Sequence, residues 1–478
     1  MGQRSHRRTF AARAVAATTA LLAAATMLTP AGARTTPAVQ PSAGQHLRAI
    51  LALSPAPQYR RFGSPGLAAV ANYAAQQLTG SGYTVRHFDA AHMRYAPDYS
   101  SGHQPLLIRL KDGHRFKVDS AFGMQAVTGP AGVTCTIRQA ADVRPGDCGL
   151  VPFAQSSPDF RNVTYGPGSL LAEIKARGGV AAVAEGDASR RLVLALRTTI
   201  ALPTVVAVAT DSELVGQKVR LRVMGGPQPA VLHDIIAVHR PRTGSHYVVL
   251  TAHMDGWFQA AADNGGGTAA VLRTAQLLSE RQPDIGVAVA LFDGEEVGLL
   301  GSQALAAQLA RPTGLDLGDC GPPLHMADIV ADVNLDAPSA RANDVGGGRL
   351  PVFSWRAMVF SEEGVLASNF LSVFLDHGVA GLPLNGRSAT LANGGLNRTD
   401  AHWFDAAGIP VVWPVAGYAE YHTDGDTLRI IDPADLEAVA AASADLGALL
   451  GSLPVGRVAG APPAPPVAPF KPAPGCRR

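Results

Sequence analysis

The residues of this chain best suited to chemistry fall into five short stretches between 253 and 423. His253-Met254-Asp255 comes first, and Asp263-Asn264-Gly265-Gly266-Gly267 starts ten residues past His253. Asp293-Gly294-Glu295-Glu296-Val297-Gly298, then Asp336, then Tyr421-His422-Thr423 complete the set. One or two imidazoles and at least four carboxylates brought to one place form a cluster of negative charge that would repel itself unless cations neutralised it. Imidazole with carboxylate suits zinc, and two ions about 3.5–4 Å apart are a common device for hydrolysing amides and phosphate esters. A water bridging such ions loses its proton near neutral pH, and a carboxylate that holds no metal can carry that proton. Each residue also has a plainer reading alone: His253 as a packed polar group, Glu295-Glu296 as a solvent-facing pair, Asp263 as a helix cap. Their common placement favours the chemical reading.

That placement comes from the elements before them. Tyr247–Ala252 (YVVLTA) and Gly286–Phe292 (GVAVALF) are near-continuous apolar runs, as expected of strands buried on both faces. Val330–Leu335 and Ile409–Trp413 read as further strands, and Gly265–Leu278 and Asp432–Leu450 as helices, the latter with Pro433 in its first turn. Strands alternating with helices predict an α/β fold, a three-layer α/β/α sandwich on a mixed, mostly parallel sheet. Open sheets of this kind place their sites beyond the carboxyl ends of the strands, where the five stretches lie.

In this order the five motifs resemble the di-zinc exopeptidases of metallopeptidase family 28, which include secreted bacterial aminopeptidases and glutamate carboxypeptidases. The resemblance spans about 250 to 425. It implies two Zn2+ ions per chain, with Asp263 bridging them, His253 and Asp336 completing one, and Glu296 and His422 the other. It implies Glu295 as general acid/base, Asp255 holding the His253 ring, and Tyr421 donating to the oxyanion. Asp336 is followed by Ala337-Pro338-Ser339 where the family often has Met and Gly, and the stretch from His253 to Asp263 is shorter than in several aminopeptidases. Thr399-Asp400-Ala401-His402 replaces the commoner Ser-Asp-His, which leaves Asp400 as a supporting carboxylate and displaces His402.

Earlier in the chain, a helix over Gly168–Arg177 precedes the apolar stretch Gly178–Val183, and Ala201–Val208 (ALPTVVAV) follows. This resembles a protease-associated domain. The expected organisation is an export signal over 1–33, an amino-terminal part of the peptidase domain over 34–117, the insertion over 118–226, the catalytic domain over 227–455 and a Pro-rich tail over 456–478. Arg4, Arg7, Arg8 and Arg13, the short apolar run Ala14–Leu28 and Ala31-Gly32-Ala33 carry the export reading, with Arg7-Arg8 also resembling a twin-arginine signal. Secretion fits a Cys135–Cys148 disulfide, while Cys320 and Cys476 either form a second bridge or stay free. The 40 basic and 38 acidic residues leave a net charge of +2, which gives no electrostatic argument for nucleic acid or an anionic membrane. Peptides are the expected partners, with no membrane association after signal cleavage; the oligomeric state stays open. The favoured activity is removal of amino-terminal residues. A carboxypeptidase or dipeptidase would need a basic clamp, for which Arg387 or Arg398 could serve. A non-catalytic binding protein is the remaining rival.

Overall fold

The computed structural model describes residues 40–56, 59–97, 104–120, 126–152, 170–186, 200–242, 244–341, 355–387, 395–418, 420–454 and 458. Two capped helices lead. α1 (Ala43–Leu53) starts at Ser42, whose hydroxyl accepts from the Gln45 N–H while the Gln45 side chain accepts from the Ser42 N–H. α2 (Pro65–Gly80) starts at Ser64 and carries Pro65 where no N–H is needed. β1 (Thr84–Pro97) follows.

The chain then builds a separate sheet from β2 (Leu106–Arg109), β3 (Arg115–Phe116), β4 (Val118–Ser120), β5 (Val133–Gln139), β6 (Cys148–Val151), β7 (Ala181–Glu185), β8 (Thr204–Ala207) and β9 (Lys218–Arg222). Its order is β3-β2-β9-β5-β6-β7-β8-β4. Leu171 and Ile174 of α3 (Leu170–Ala176) join the core of this sheet, and a disulfide ties Cys135 on β5 to Cys148 on β6. The sheet begins before the change of texture at Val118, because β2 pairs with β9 and β3 with β2.

β10 (Gly225–His239) returns to β1, and the chain continues through β11 (Tyr247–His253), α4 (Gly267–Arg281), β12 (Gly286–Phe292), α5 (Leu300–Leu309), β13 (Ile329–Asn334), β14 (Trp355–Phe360), α6 (Val365–Asp376), β15 (Leu382–Asn385), α7 (Ala401–Ala406), β16 (Val411–Gly417) and α8 (Pro433–Ser452). The order β1-β10-β12-β11-β13-β16-β14-β15 places β12, β11, β13 and β16 side by side and parallel. Every residue of β11, β12 and β13 is buried. Val248, Leu250 and Ala252 face a core shared with α1, α2, α4, α6 and α8, while Tyr247 and Val249 face one shared with α5 and α7. These are the three layers that the alternation of strands and helices predicts. α8 lies close on α4 through small residues: a Cβ on Gly447 would stand 3.2 Å from a Leu278 methyl. Each fully buried Leu or Val contributes about 1.5–3 kcal/mol.

Cys320 is also disulfide-bonded; Cys476, the export segment and all of the Pro-rich tail except Val458 lie outside the described residues. No helix among the described residues is long and apolar enough to cross a membrane.

One buried carboxyl in the sheet sets a pH dependence. The Thr251 hydroxyl lies 2.7 Å from Asp332 Oδ1 and 3.0 Å from Asn334 Oδ1, and the Asn334 amide donates to Thr399 Oγ1. One hydroxyl proton cannot serve two acceptors. A protonated Asp332 resolves this by donating to Thr251, which then donates to Asn334. Burial pushes the Asp332 carboxyl up to about 8, against the pull of Thr251 and with a further push from Asp400. Folded protein therefore keeps a proton that the unfolded chain loses near pH 4, so stability falls as pH rises from there through 8. Asp332→Asn should leave the melting temperature nearly unchanged at pH 5 and raise it by several degrees at pH 8.5. Calorimetry showing the same difference at both values would refute this.

Candidate metal centre

Parallel neighbours end on one edge, and β11, β12, β13 and β16 deliver the five stretches there. His253 Nε2 lies 3.2 Å from Asp263 Oδ1 and 3.2 Å from Asp336 Oδ1. His422 Nε2 lies 3.2 Å from Asp263 Oδ2 and 2.9 Å from Glu296 Oε2. Two groups of possible metal ligands result, His253–Asp263–Asp336 and Asp263–Glu296–His422, sharing Asp263. A tetrahedral ion with donors at about 2.0–2.1 Å keeps them roughly 3.4 Å apart, close to these spacings. All of the ligand side chains are buried except His422, which is half-buried. His253 Nδ1 lies 3.2 Å from the Asp255 carbonyl, which frees Nε2 to act as a donor. The donor set fits two cations bridged by Asp263.

The charges fit as well. Burial disfavours a charged His422 ring, yet Glu296 and Asp263 outweigh it and hold its pKa at about 10. Burial likewise opposes a charged His253, and Asp336, Asp255 and Asp263 raise it well above the ordinary value. Asp263 is held low despite burial by its bonds to the two histidines. Burial pushes Glu295 well above the carboxylate range; His253 opposes this, and Glu296, Asp336 and Asp400 add to it. Without a cation, protons on the imidazoles must balance the carboxylates. Metal ions can replace those protons.

The surroundings fix each group. Asp255 reaches further than the sequence implies: its Oδ1 accepts from the Glu295 N–H at 3.3 Å and its Oδ2 from the Glu296 N–H at 3.2 Å. It therefore ties the end of β11 to the Glu295-Glu296 turn. Thr268 on α4 donates to the His253 carbonyl, and the Trp413 indole donates to the Asp336 carbonyl. Asp426 accepts from the N–H groups of Ala262 and Asp263, and the Asn264 amide donates to the Leu335 carbonyl. Arg60, wholly buried, donates to the carbonyls of Met254, Gln259 and Ala260. Burial lowers its pKa to about 10, opposed by Asp426 and Asp255. Asp426, Trp413, Thr268 and Arg60 carry no local sequence signal, since each acts on a partner distant in sequence or through a backbone group.

Backbone strain collects here too. Phe258, Ala260, Ala337 and His422 hold left-handed φ values of 57°, 47°, 46° and 58°, each costing about 1–3 kcal/mol. Between β11 and α4, residues Ala261–Gly266 form a wide helical turn, with non-helical angles at Asp263 and Asn264. The helix expected from Gly265 therefore starts only at Gly267.

The other flagged residues divide. Tyr421 is 44% exposed, and its ring stacks on His422 with centroids 3.8 Å apart. Asp400 is buried and bonded to Ser302; burial pushes it up to about 7 against the pull of His253 and Ser302. His402 packs on Trp403 and belongs to neither ligand group. Arg387 is engaged by Asp405 and Glu362, and Arg398 is exposed.

Residues 234–447 match the sequence profile described as Peptidase family M28. No curated protein matches the chain. An aminopeptidase from Aneurinibacillus sp. strain AM-1 is 19% identical, with a TM-score of 0.58 over 90% of this chain and 98% of that one. A zinc aminopeptidase from Bacillus subtilis is 18% identical, with a TM-score of 0.63 over 88% and 98%. A peptidase M28 precursor from Shewanella amazonensis SB2B is 16% identical, with a TM-score of 0.59 over 86% and 92%. At these identities the likeness is one of fold. With the family match, it marks residues 234–447 as a Peptidase family M28 domain and so the chain as a metallopeptidase, whose histidine and carboxylate donors suit zinc.

Proposed function

We propose that this protein is an exported aminopeptidase that uses two zinc ions. The carrying observation is Asp263, whose two carboxylate oxygens face two different histidines and so suit a bridge. His253 and Asp336 would complete one site, and Glu296 and His422 the other. When bound, the ions would acidify a water and polarise the scissile carbonyl. Glu295 then takes the proton of the attacking water and hands it to the leaving amine. Glu295 is buried and belongs to neither ligand group, which suits it to that task. Asp255 orients His253 and fixes the Glu295 backbone. Tyr421, half-exposed beside His422, donates its phenol to the oxyanion.

An amino-terminal preference is supported by the aminopeptidases that share the fold. Arg387, a candidate clamp for a substrate carboxylate, is already committed to Asp405 and Glu362. Residues 1–33 are assigned to export. Residues 118–226, joined by the strands from Leu106, are assigned to a protease-associated-like insertion, supported by their separate core.

Three outcomes are expected. Mass spectrometry of peptide pairs, free or acetylated at the amino terminus, should detect trimming only of the free member, abolished by a chelator. Trimming from the carboxyl end would move the activity to the carboxypeptidase branch. Glu295→Gln should lower kcat by about 10²–10⁴ while zinc content stays at the wild-type value; loss of zinc together with activity would make Glu295 a ligand instead. Protein recovered from the culture medium of the exporting cell should begin at Arg34, and an intact leader on it would sink the signal assignment.

A further inference from the structure

Arg60 lies between α1 and α2, outside the segment matched to the peptidase family. Its side chain is 0% exposed. Nε donates to the Met254 carbonyl at 2.9 Å, Nη1 to Gln259 at 2.8 Å and Nη2 to Ala260 at 2.7 Å. The Gly256 N–H returns a bond to the Arg60 carbonyl at 3.1 Å. One planar fork thus grips both arms of the loop that runs from His253 to Asp263. The loop has little room to find another shape. A Cβ on Gly256 would stand 2.7 Å from the Ala260 Cβ and 2.8 Å from the Asp263 carbonyl, and one on Gly265 would stand 3.2 Å from Arg60 Nη2. Phe258 and Ala260 are both left-handed, and the Gln259 and Ala260 carbonyls on this arm find their donors in Arg60.

The charge has a place as well. A buried guanidinium whose hydrogen bonds among the described residues go to neutral carbonyls must find its balance through space. Asp426, Asp255, Asp263 and Glu296 all act on it. Arg60 therefore serves the centre twice, as a brace for the loop and as a fixed positive charge beside its carboxylates.

We infer that Arg60 is a positioning residue for the metal centre, setting the separation of His253 and Asp263 from a segment outside the matched peptidase domain. This rests on the metal reading above. A lysine would keep the charge but not the three-pronged fork, and a glutamine would keep neither. Supporting residues of this kind change metal affinity by about 10–100-fold.

The test is zinc binding by competition with a chromogenic chelator, together with the visible spectrum of the cobalt-loaded protein. It compares wild type, Arg60→Lys, Arg60→Gln and Tyr83→Phe. Tyr83→Phe removes a buried hydrogen bond to the Ala275 carbonyl on α4 and serves as a control for lost stability. Arg60→Lys and Arg60→Gln should bind zinc about 10–100-fold more weakly and shift the cobalt spectrum, with unchanged far-ultraviolet circular dichroism. Tyr83→Phe should melt earlier yet bind zinc as wild type does. Folded Arg60 variants with wild-type affinity and spectrum would overturn the inference, as would an equal loss of affinity in Tyr83→Phe. If neither Arg60 variant folds, Ser64→Ala decides. The Ser64 hydroxyl donates to the Tyr59 carbonyl and so braces the Arg60 turn from outside the loop. A several-fold loss of zinc affinity there supports the inference, and none overturns it. A wild-type protein that binds neither zinc nor cobalt would instead sink the metal centre itself.

Discussion

Burying carboxylates is costly, and the centre of this protein buries several within reach of one another. An ionised carboxylate taken out of water loses several kcal/mol even after its surroundings relax. Here Asp263, Glu296 and Asp336 are all buried and each faces an imidazole. Such a cluster is stable only with positive charge inside it. Protons on His253 and His422 can supply that charge, and so can metal ions, which compete with those protons for the same nitrogens. Much of the surrounding structure holds the cluster in place.

The sheet makes the cluster possible. Strands buried on both faces carry few polar side chains before they end, Thr251 and Asp332 among them, and four parallel neighbours end together. The polar groups therefore appear at one edge, above a floor that cannot give way. The loop from His253 to Asp263 is itself almost wholly buried, and hydrogen bonds from outside fix it. Asp255 holds the Glu295-Glu296 turn, Asp426 holds Ala262 and Asp263, and Arg60 holds the carbonyls before them. Asp426 supplies acceptors to the loop's N–H groups and Arg60 supplies donors to its carbonyls, so both kinds of backbone group are answered.

The second sheet is built differently. Its own apolar core and the Cys135–Cys148 bridge hold it together. Its parallel strands β5 to β8 carry no cluster like that of the first sheet among the described residues. Among the described residues, the candidate ligand groups gather at the first sheet.

The sequence by itself determined the layers and the residues of the candidate centre. Near-continuous apolar runs mark β11 and β12 almost to the residue, because a strand covered on both faces has few polar positions to blur its pattern. The motifs at the ends of those runs name His253, Asp263, Glu295, Glu296, Asp336 and His422, because their chemistry resides in residue type and order. Pairing and support were decided only in three dimensions. Nothing near Leu106 signals that it belongs beside Arg222, since partners at a sheet edge are chosen across the whole chain. The strand expected over 409–413 runs instead over Val411–Gly417, where its neighbours β13 and β14 set its ends. Arg60 and Asp426 look like ordinary surface charges in the sequence. They become parts of the centre only because folding brings them against the backbone of one loop, and a backbone carbonyl or N–H has no letter in the sequence.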